Sequence, residues 1–254
     1  MGVLEGKTAL VTGGSRGLGR AVAVDYAKQG ALVAINYARN DAAARETLDM
    51  IEAEGGKAFL VKCPQVDLAS AEELKAGLDA GLMERTGSTG LDILVNNAGG
   101  GPMAAIDDTT TEIFEQIVSD NMRGPFYLTK VLKPQLRDNG RVIFFSSLGA
   151  RHSRPNFVVY AMCKSAIETL TFVMAKELGH RGITVNCIMP GLIASDANAE
   201  LRADPVARKH FEENVLLGRL GEPSDLSGVA TSLASPQMGY VTGQVIEVSG
   251  GLFF

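Results

Sequence analysis

What this 254-residue chain has little of narrows the field first. It carries no excess of positive charge: 24 Lys and Arg stand against 29 Asp and Glu, a net charge of −5. That balance argues against nucleic acid or an anionic membrane as its main partner. Cysteine is scarce. Cys63, Cys163 and Cys187 are far apart and form neither a CxxC nor a metal-ligand pattern. They read as reduced, buried, small apolar residues of a cytoplasmic protein, and no metal is expected. No apolar run approaches the length of a membrane span. A first strand beginning by Lys7 leaves no room for a signal peptide. Position six is a glycine, where myristoylation wants serine or threonine. No repeat, low-complexity tract or linker interrupts the chain.

What is present is an alternation of strands and helices. Strand-like runs are Lys7–Thr12, Leu32–Tyr37, Ala58–Lys62, Leu91–Asn96, Val142–Ser146, Thr184–Met189 and Gln244–Val248. Helical periodicity lies between them, near 18–29, 41–54, 70–85, 111–132, 158–179 and 224–234. Such alternation predicts a parallel α/β sheet with helices on both faces. The chain is large for one domain, but α/β folds of this size are often single, so one domain over 1–254 is expected. The polar stretch from Ser195 to Arg219 is the one long segment without a strand. With Phe211, Val215 and Leu216 as apolar anchors, it suits a helical lid over a site.

Two segments carry chemistry. After the first strand comes Gly13-Gly-Ser-Arg-Gly-Leu-Gly19, then a helix. A strand, a glycine turn and a helix N-terminus form an anion site, where free backbone N–H groups and the helix dipole face a phosphate. The second segment is Tyr160-Ala-Met-Cys-Lys164, with Ser147 thirteen residues before the tyrosine. At i,i+4 spacing Tyr160 and Lys164 leave one helix face. A cation there stabilises a phenolate, so the phenol can pass a proton to or from a substrate oxygen. Ser147 ends a strand and could hold the same oxygen. Its neighbour Ser146 points the opposite way by strand alternation.

Together these residues resemble the short-chain dehydrogenase/reductase family. Its TGxxxGxG motif is matched by Thr12-Gly13 through Gly19, and its NNAG segment by Asn96-Asn-Ala-Gly99. Its supporting asparagine matches Asn121, its serine Ser147, and its tyrosine and lysine Tyr160 and Lys164. Its proline-glycine turn matches Pro190-Gly191, and Tyr240-Val-Thr-Gly243 through Gly250-Gly251 resembles its closing segment. The resemblance runs from about Leu4 to Gly251. Cys163 sits where serine is common, and Ser249 where aspartate is common.

The resemblance implies a single Rossmann-type, doubly wound sheet of about seven strands and reversible hydride transfer to a carbonyl. Tyr160 is then the proton donor, Lys164 its electrostatic partner and ribose anchor, Ser147 the orienting group, and Asn121 the holder of a relay water. The dinucleotide falls to Gly13, Ser15, Arg16, Gly17, Leu18 and Gly19, to Asn36, Tyr37 and Arg39, to Asn97, Ala98 and Gly99, and to Pro190, Gly191, Ile193 and Ser195, with Tyr160 and Lys164. Asp67 fits the adenine-contacting aspartate, although Pro64-Gln-Val66 reads as a short insertion before it. Asn96 is given a structural role.

Charge argues the cofactor. An NAD enzyme usually places an acid at the end of the second strand. Here that end reads Asn36-Tyr-Ala-Arg-Asn40, without one. Arg16 and Arg39 could face a 2′-phosphate, and Asp41 reads as a helix cap. NADP(H) is therefore expected. The pocket wall is assigned to Gly100, Gly101, Pro102, Met103, Leu148, Gly149, Asn156, Phe157, Met189 and Leu192. Most of these are apolar, which suggests a ketone or secondary alcohol with substantial apolar surface. Arg151, His152 and Arg154 read as solvated loop charges. Open substrate classes are a 3-oxoacyl thioester on a carrier protein, a polyketide-like ketone and a small xenobiotic ketone.

Other readings are an oxidative NAD-type alcohol dehydrogenase, a non-catalytic dinucleotide-binding regulator, and an epimerase or dehydratase holding NAD tightly. A regulator has no reason to keep Ser147, Tyr160, Lys164 and Asn121 together, and the last class usually carries a larger substrate domain. A homotetramer is expected, with helices 111–132 and 158–179 paired to symmetry mates and the Leu252-Phe253-Phe254 tail at a second interface.

Overall fold

The computed structural model of the chain describes residues 2–195 and 199–252, without the side chains of Glu200 and Leu201. Seven strands form one parallel sheet: β1 Thr8–Val11, β2 Leu32–Tyr37, β3 Lys57–Lys62, β4 Leu91–Asn96, β5 Leu136–Phe145, β6 Thr184–Pro190 and β7 Val245–Val248. Their order is β3-β2-β1-β4-β5-β6-β7. The order reverses between β1 and β4, so a crevice opens above the carboxyl ends of these two strands. The helices are α1 Gly17–Lys28, α2 Asp41–Ala53, α3 Leu68–Thr86, α4 Thr111–Val118, α5 Gly124–Leu132, α6 Val158–Leu178, α7 Ala199–Ala203, α8 Pro205–Glu213 and α9 Pro223–Ala234.

The strands are near-continuous apolar runs because both faces of the sheet are covered. On one face Leu74, Leu78 and Leu82 of α3, Leu128 and Leu132 of α5, and Ile167 and Leu178 of α6 pack against Leu10, Leu94, Val142 and Val185. On the other, Val22 and Tyr26 of α1, Leu48 and Ile51 of α2, and Leu226 and Leu233 of α9 pack against Val11, Val33, Ile35 and Ile188. Each fully buried leucine or isoleucine contributes about 1.5–3 kcal/mol of transfer free energy.

Three expectations change. β5 begins at Leu136, not Val142, because Leu91 pairs with Leu136 before the register shifts between Leu91 and Ile93. The helix expected over 111–132 is broken by a π-helical turn, Ser119–Arg123, between α4 and α5. The run Val158–Arg181 contains an 18-residue window of mean hydropathy 1.4, long and apolar enough by composition to cross a membrane, contrary to the expectation from the sequence. Its inward face is nonetheless part of the globular core, where Ile167, Met174 and Leu178 are buried.

The excursion from 195 to 219 starts and ends at one place. Ala194 N donates to Gly221 O at 2.8 Å, and Gly221 N to Leu192 O at 3.2 Å. Of its expected anchors Val215 is buried and Phe211 is half-buried, but Leu216 is 72% exposed and lies over Gly251 at the surface. Asp196, Ala197 and Asn198 lie outside the described residues, as do Phe253 and Phe254 of the tail. Leu252 is buried on its own subunit with Leu148, Met189 and Val215.

Candidate active site

The crevice is built from the two loops that flank the switch point. Gly13 takes φ +63°, and a Cβ there would crowd Ala98 Cα at 3.1 Å. At Gly19 a Cβ would meet Gly13 O at 2.2 Å, so the loop can fold onto the helix only with glycine. Gly17 takes φ +56° and faces open space. Helix α1 starts there with no side-chain cap from Arg16. An uncapped helix start beside open space fits a phosphate, which would take up the orphan N–H groups. Thr12 clamps the opposite loop: its Oγ1 accepts from Asn97 N and Ala98 N, both at 3.0 Å. Asn97 Nδ2 returns a bond to Thr12 O at 2.9 Å. Asn96 turns inward, donating to Thr129 Oγ1 at 3.3 Å, a structural contact as expected.

The four expected catalytic side chains gather at two neighbouring points. A Cβ built on Gly149 would lie 3.3 Å from Ser147 Oγ, 3.6 Å from Phe157 Cδ1 and 4.0 Å from Tyr160 Cε1. One built on Gly99 would lie 2.7 Å from Asn121 Oδ1 and 3.2 Å from Lys164 Nζ. The Asn121 contact at 2.7 Å leaves no room for a side chain at position 99, whereas at Gly149 an added Cβ would be only slightly tight. Lys164 is buried; its ammonium donates to Phe145 O at 3.0 Å and stands 5.5 Å from the centre of the Tyr160 ring. The Phe157 ring meets Tyr160 edge-on at 5.9 Å.

Ser147 Oγ accepts from Gly149 N at 3.1 Å, which leaves its proton for another acceptor. Asn121 owes its place to the π turn. The turn sets it on the helix side facing Gly100, where Oδ1 accepts from Gly100 N at 2.9 Å and Nδ2 donates to Gly100 O at 2.6 Å. Nδ2 also satisfies Ile117 O at 2.9 Å, a carbonyl four residues back. Single π turns of this kind often mark functional positions.

Some expected cofactor residues are otherwise engaged. The Asn36 side chain is buried in the sheet, donating to Val61 O at 3.1 Å and Cys63 O at 2.9 Å and accepting from Gln65 Nε2 at 2.8 Å. It shapes the floor from below and offers no polar atom to a ligand. Tyr37 is buried, with its hydroxyl on Asp41 Oδ1 at 2.9 Å. Asp67 caps α3, its carboxylate accepting from Ser70 N at 2.9 Å, and that bond holds its pKa below the ordinary value. Asp67 thus stands at the start of α3, directly after Pro64–Val66. Asn40, not Asp41, caps α2; Asp41 instead pairs with Lys62 at 2.8 Å. Ser15 is buried, its carbonyl accepting from Thr47 Oγ1 at 3.0 Å and from Arg20.

Arg16 and Arg39 are exposed at the mouth, and neither has an ion-pair partner among the described residues. Half-buried Asp120 faces the same space. Burial raises its pKa, and the charge of Arg39 opposes that. At the carboxyl end of β6, Pro190 ends the strand, Gly191 N donates to Val248 O at 3.0 Å, and Ile193 bridges to Gly221. Arg202 holds Ser195 O at 3.2 Å.

Of the expected pocket wall, Leu148 and Met189 are buried in a small core with Val215 and Leu252, while Gly101, Pro102 and Met103 are exposed. Ala104 bridges to Phe157, so the Gly100–Met103 loop lies along the Tyr160 segment. Arg154 is held over the Phe211 ring of α8 at 5.5 Å, so it is not a free loop charge. Sequence reasoning missed Thr12 as a clamp and Glu168, whose i+4 spacing from Lys164 was the available signal.

A doubly wound sheet with a glycine loop at its switch point and a Ser-Tyr-Lys-Asn cluster above it defines a dinucleotide-binding oxidoreductase site. The chain matches the family described as enoyl-(acyl carrier protein) reductase over residues 13–253. It is 36% identical over 256 residues to an L-rhamnose 1-dehydrogenase of Sphingomonas, covering 100% of this chain and 98% of the relative. It is 33% identical over 249 residues to the 3-oxoacyl-[acyl-carrier-protein] reductase FabG of Staphylococcus epidermidis, covering 97% and 99%. Among solved structures it resembles the promiscuous reductase LugOII, which catalyses keto-reduction at C1 during lugdunomycin biosynthesis, at 42% identity and TM-score 0.94, covering 99% of each chain. It also resembles the angucycline C-6 ketoreductase LanV with bound NADP, at 40% identity and TM-score 0.93, covering 99% and 97%. The chain belongs to the short-chain dehydrogenase/reductase family.

Proposed function

We propose that the chain is an NADPH-dependent ketoreductase that converts a largely apolar ketone to a secondary alcohol. The observation that carries this reading is the convergence of Ser147 Oγ and Tyr160 at Gly149, beside Lys164 and Asn121 at Gly99. The nicotinamide, when bound, supplies the hydride. The glycine loop and α1 start, Gly13 to Gly19, would hold the pyrophosphate, Arg16 and Arg39 the 2′-phosphate, Asn97 to Gly99 with Lys164 the inner ribose, and Pro190 to Ser195 the carboxamide.

The protein's own residues do the rest. Ser147 donates its hydroxyl proton to the ketone oxygen, because Gly149 N already fills an acceptor site on Oγ. Tyr160 gives that oxygen a proton as charge builds on it. Lys164, fixed by Phe145 O, keeps a positive charge beside the phenol and stabilises the phenolate that remains. Asn121 holds the relay water through which the phenolate is reprotonated. The excursion over 195–219, pinned at both ends, acts as the substrate lid of a single catalytic domain and keeps bulk water out.

The mostly apolar residue types expected around the site favour a ketone with substantial apolar surface, and the keto-reductions named for LugOII and LanV support ketone reduction. A carrier-bound 3-oxoacyl thioester is the next candidate, supported by FabG. The oxidative direction has support in the relatives named as dehydrogenases and uses the same residues in reverse.

The test follows NADPH oxidation over a panel of ketones, with NADH, secondary alcohols with NADP⁺, and an enoyl thioester as comparisons. Ketone reduction with NADPH is expected. Tyr160→Phe should cut turnover at least about a hundredfold with cofactor affinity nearly intact, the scale of general acid catalysis. Normal turnover in that variant removes the assignment.

A further inference from the structure

Tyr160, Lys164 and Glu168 stand at i, i+4 and i+8 on one face of α6. The site uses the first two. Glu168 lies below them with its side chain only 14% exposed, and a carboxylate so placed is costly unless both oxygens are engaged. Oε1 accepts from Ser146 Oγ at 2.8 Å, and Oε2 faces the Arg151 guanidinium at 3.6 Å. Ser146 and Arg151 bracket the short turn that carries Ser147, the 3₁₀ segment Leu148–Ala150. The same helix face adds weaker ties: Ser146 Oγ also reaches Lys164 O at 3.3 Å, and Ser165 Oγ reaches Ala150 O at 3.5 Å. Among the described residues, Glu168 is the one side chain that grips both ends of the turn.

We propose that Glu168 is the positioning residue of this site: it locks the Ser147 turn onto the helix that bears Tyr160 and Lys164. The two hydroxyls serve one ketone oxygen, so their separation must hold within about 0.5 Å. Ser147 comes from the end of β5 and Tyr160 from α6; buried Leu148 ties the turn to Met189 of β6, which leaves its position relative to α6 to the polar contacts. One carboxylate, held by a serine at one end and an arginine at the other, removes that freedom. It touches neither substrate nor cofactor and acts through Ser147.

The inference rests on the ketoreductase reading, and a double-mutant cycle separates positioning from general support. Glu168→Ala should lower kcat about tenfold, with NADPH affinity within about twofold, the cost of a sub-ångström misplacement. In a Ser147→Ala background the same change should cost less than about twofold, because the group it positions is gone. Glu168→Gln keeps an acceptor for Ser146 and loses the Arg151 pair, so it should fall between wild type and alanine. Independent, multiplicative losses in the cycle overturn the proposal. A second measurement needs no turnover. Amide exchange at Gly149–His152 should speed up about tenfold in Glu168→Ala while the α6 amides stay protected. Unchanged exchange there overturns the proposal too. A wild-type protein inactive on every ketone refutes the ketoreductase reading instead, and the exchange measurement still decides Glu168.

Discussion

Arg16 and Arg39 are the residues whose fate most affects cofactor choice. Asn36, Tyr37 and Asp67 are engaged within the protein, and the nearest acid, Asp41, is paired with Lys62. That leaves two exposed cations and no exposed carboxylate on β2 for a ribose hydroxyl. Replacing both arginines with alanine should weaken NADPH binding about tenfold or more per cation and leave NADH nearly untouched, since each makes a charge-assisted bond only to the 2′-phosphate. Fluorescence titration with both cofactors checks it; equal losses, or a wild-type preference for NADH, refute it. The cysteines carry no chemistry at this scale. Burial pushes the Cys63 thiol up to about 11 and the Cys187 thiol up to about 12.

Among the elements, the end of the sheet opposite the site is held by one carboxylate. Asp92 of β4 accepts from Thr8 N and Thr8 Oγ1 of β1, both at 3.0 Å, and from Arg137 of β5 at 2.8 Å, with Lys7 at 3.3 Å. Burial opposes its ionisation, yet the Thr8 bonds and the two cations outweigh burial and hold its pKa below the ordinary value. A depressed folded pKa contributes stability that is present above the unfolded value of about 3.9 and lost as the pH falls through the folded value. Asp92→Asn should therefore lower stability at neutral pH by about 1–3 kcal/mol, the worth of bonds to a charged group, and flatten the acid limb of a Tm-versus-pH curve. A variant as stable as wild type at pH 7, with an unchanged acid limb, contradicts this. At the other end of the sheet the closing segment reinforces the pocket. Val215 pairs with Leu252, and Gly250 and Gly251 admit the end of the 195–219 excursion, where a Cβ would meet Val215 at 2.9 Å or Leu216 at 2.8 Å.

For the whole molecule, assembly is the question the exposed apolar side chains raise. Leu128 and Ile167 of α5 and α6 are buried, but Phe126, Met162, Phe172 and Val173 are 47%, 59%, 44% and 53% exposed. A two-sided apolar helix pair needs a second partner. We propose that these helices pair with symmetry mates in a homotetramer. Light scattering should give about four times the 26.8 kDa chain mass. Phe172→Glu with Val173→Glu should yield smaller species, because charge would be buried at the interface. A wild-type monomer at micromolar concentration rejects the pairing. The tail needs no such interface for Leu252, which packs against Leu148, Met189 and Val215 of its own chain.

Strand and helix periodicity, the glycine turn and the Ser147–Tyr160–Lys164 spacing are local patterns, and local patterns are legible in a linear sequence. They were enough for a parallel α/β sheet and for the alternation of its strands and helices, while the doubly wound form and the place of Asn121 came with the family resemblance. Tertiary structure decided where each polar group is engaged, because that depends on neighbours distant in sequence. Asn36 goes to the Val61 and Cys63 carbonyls and Asp67 to a helix cap, and no local pattern distinguishes either from a ligand residue. The π turn that aims Asn121 at Gly100 has the same apolar period as an unbroken helix until it packs. Glu168 reads as one more charge on a helix; only the return of β5 beneath α6 puts Ser146 and Arg151 at its two oxygens.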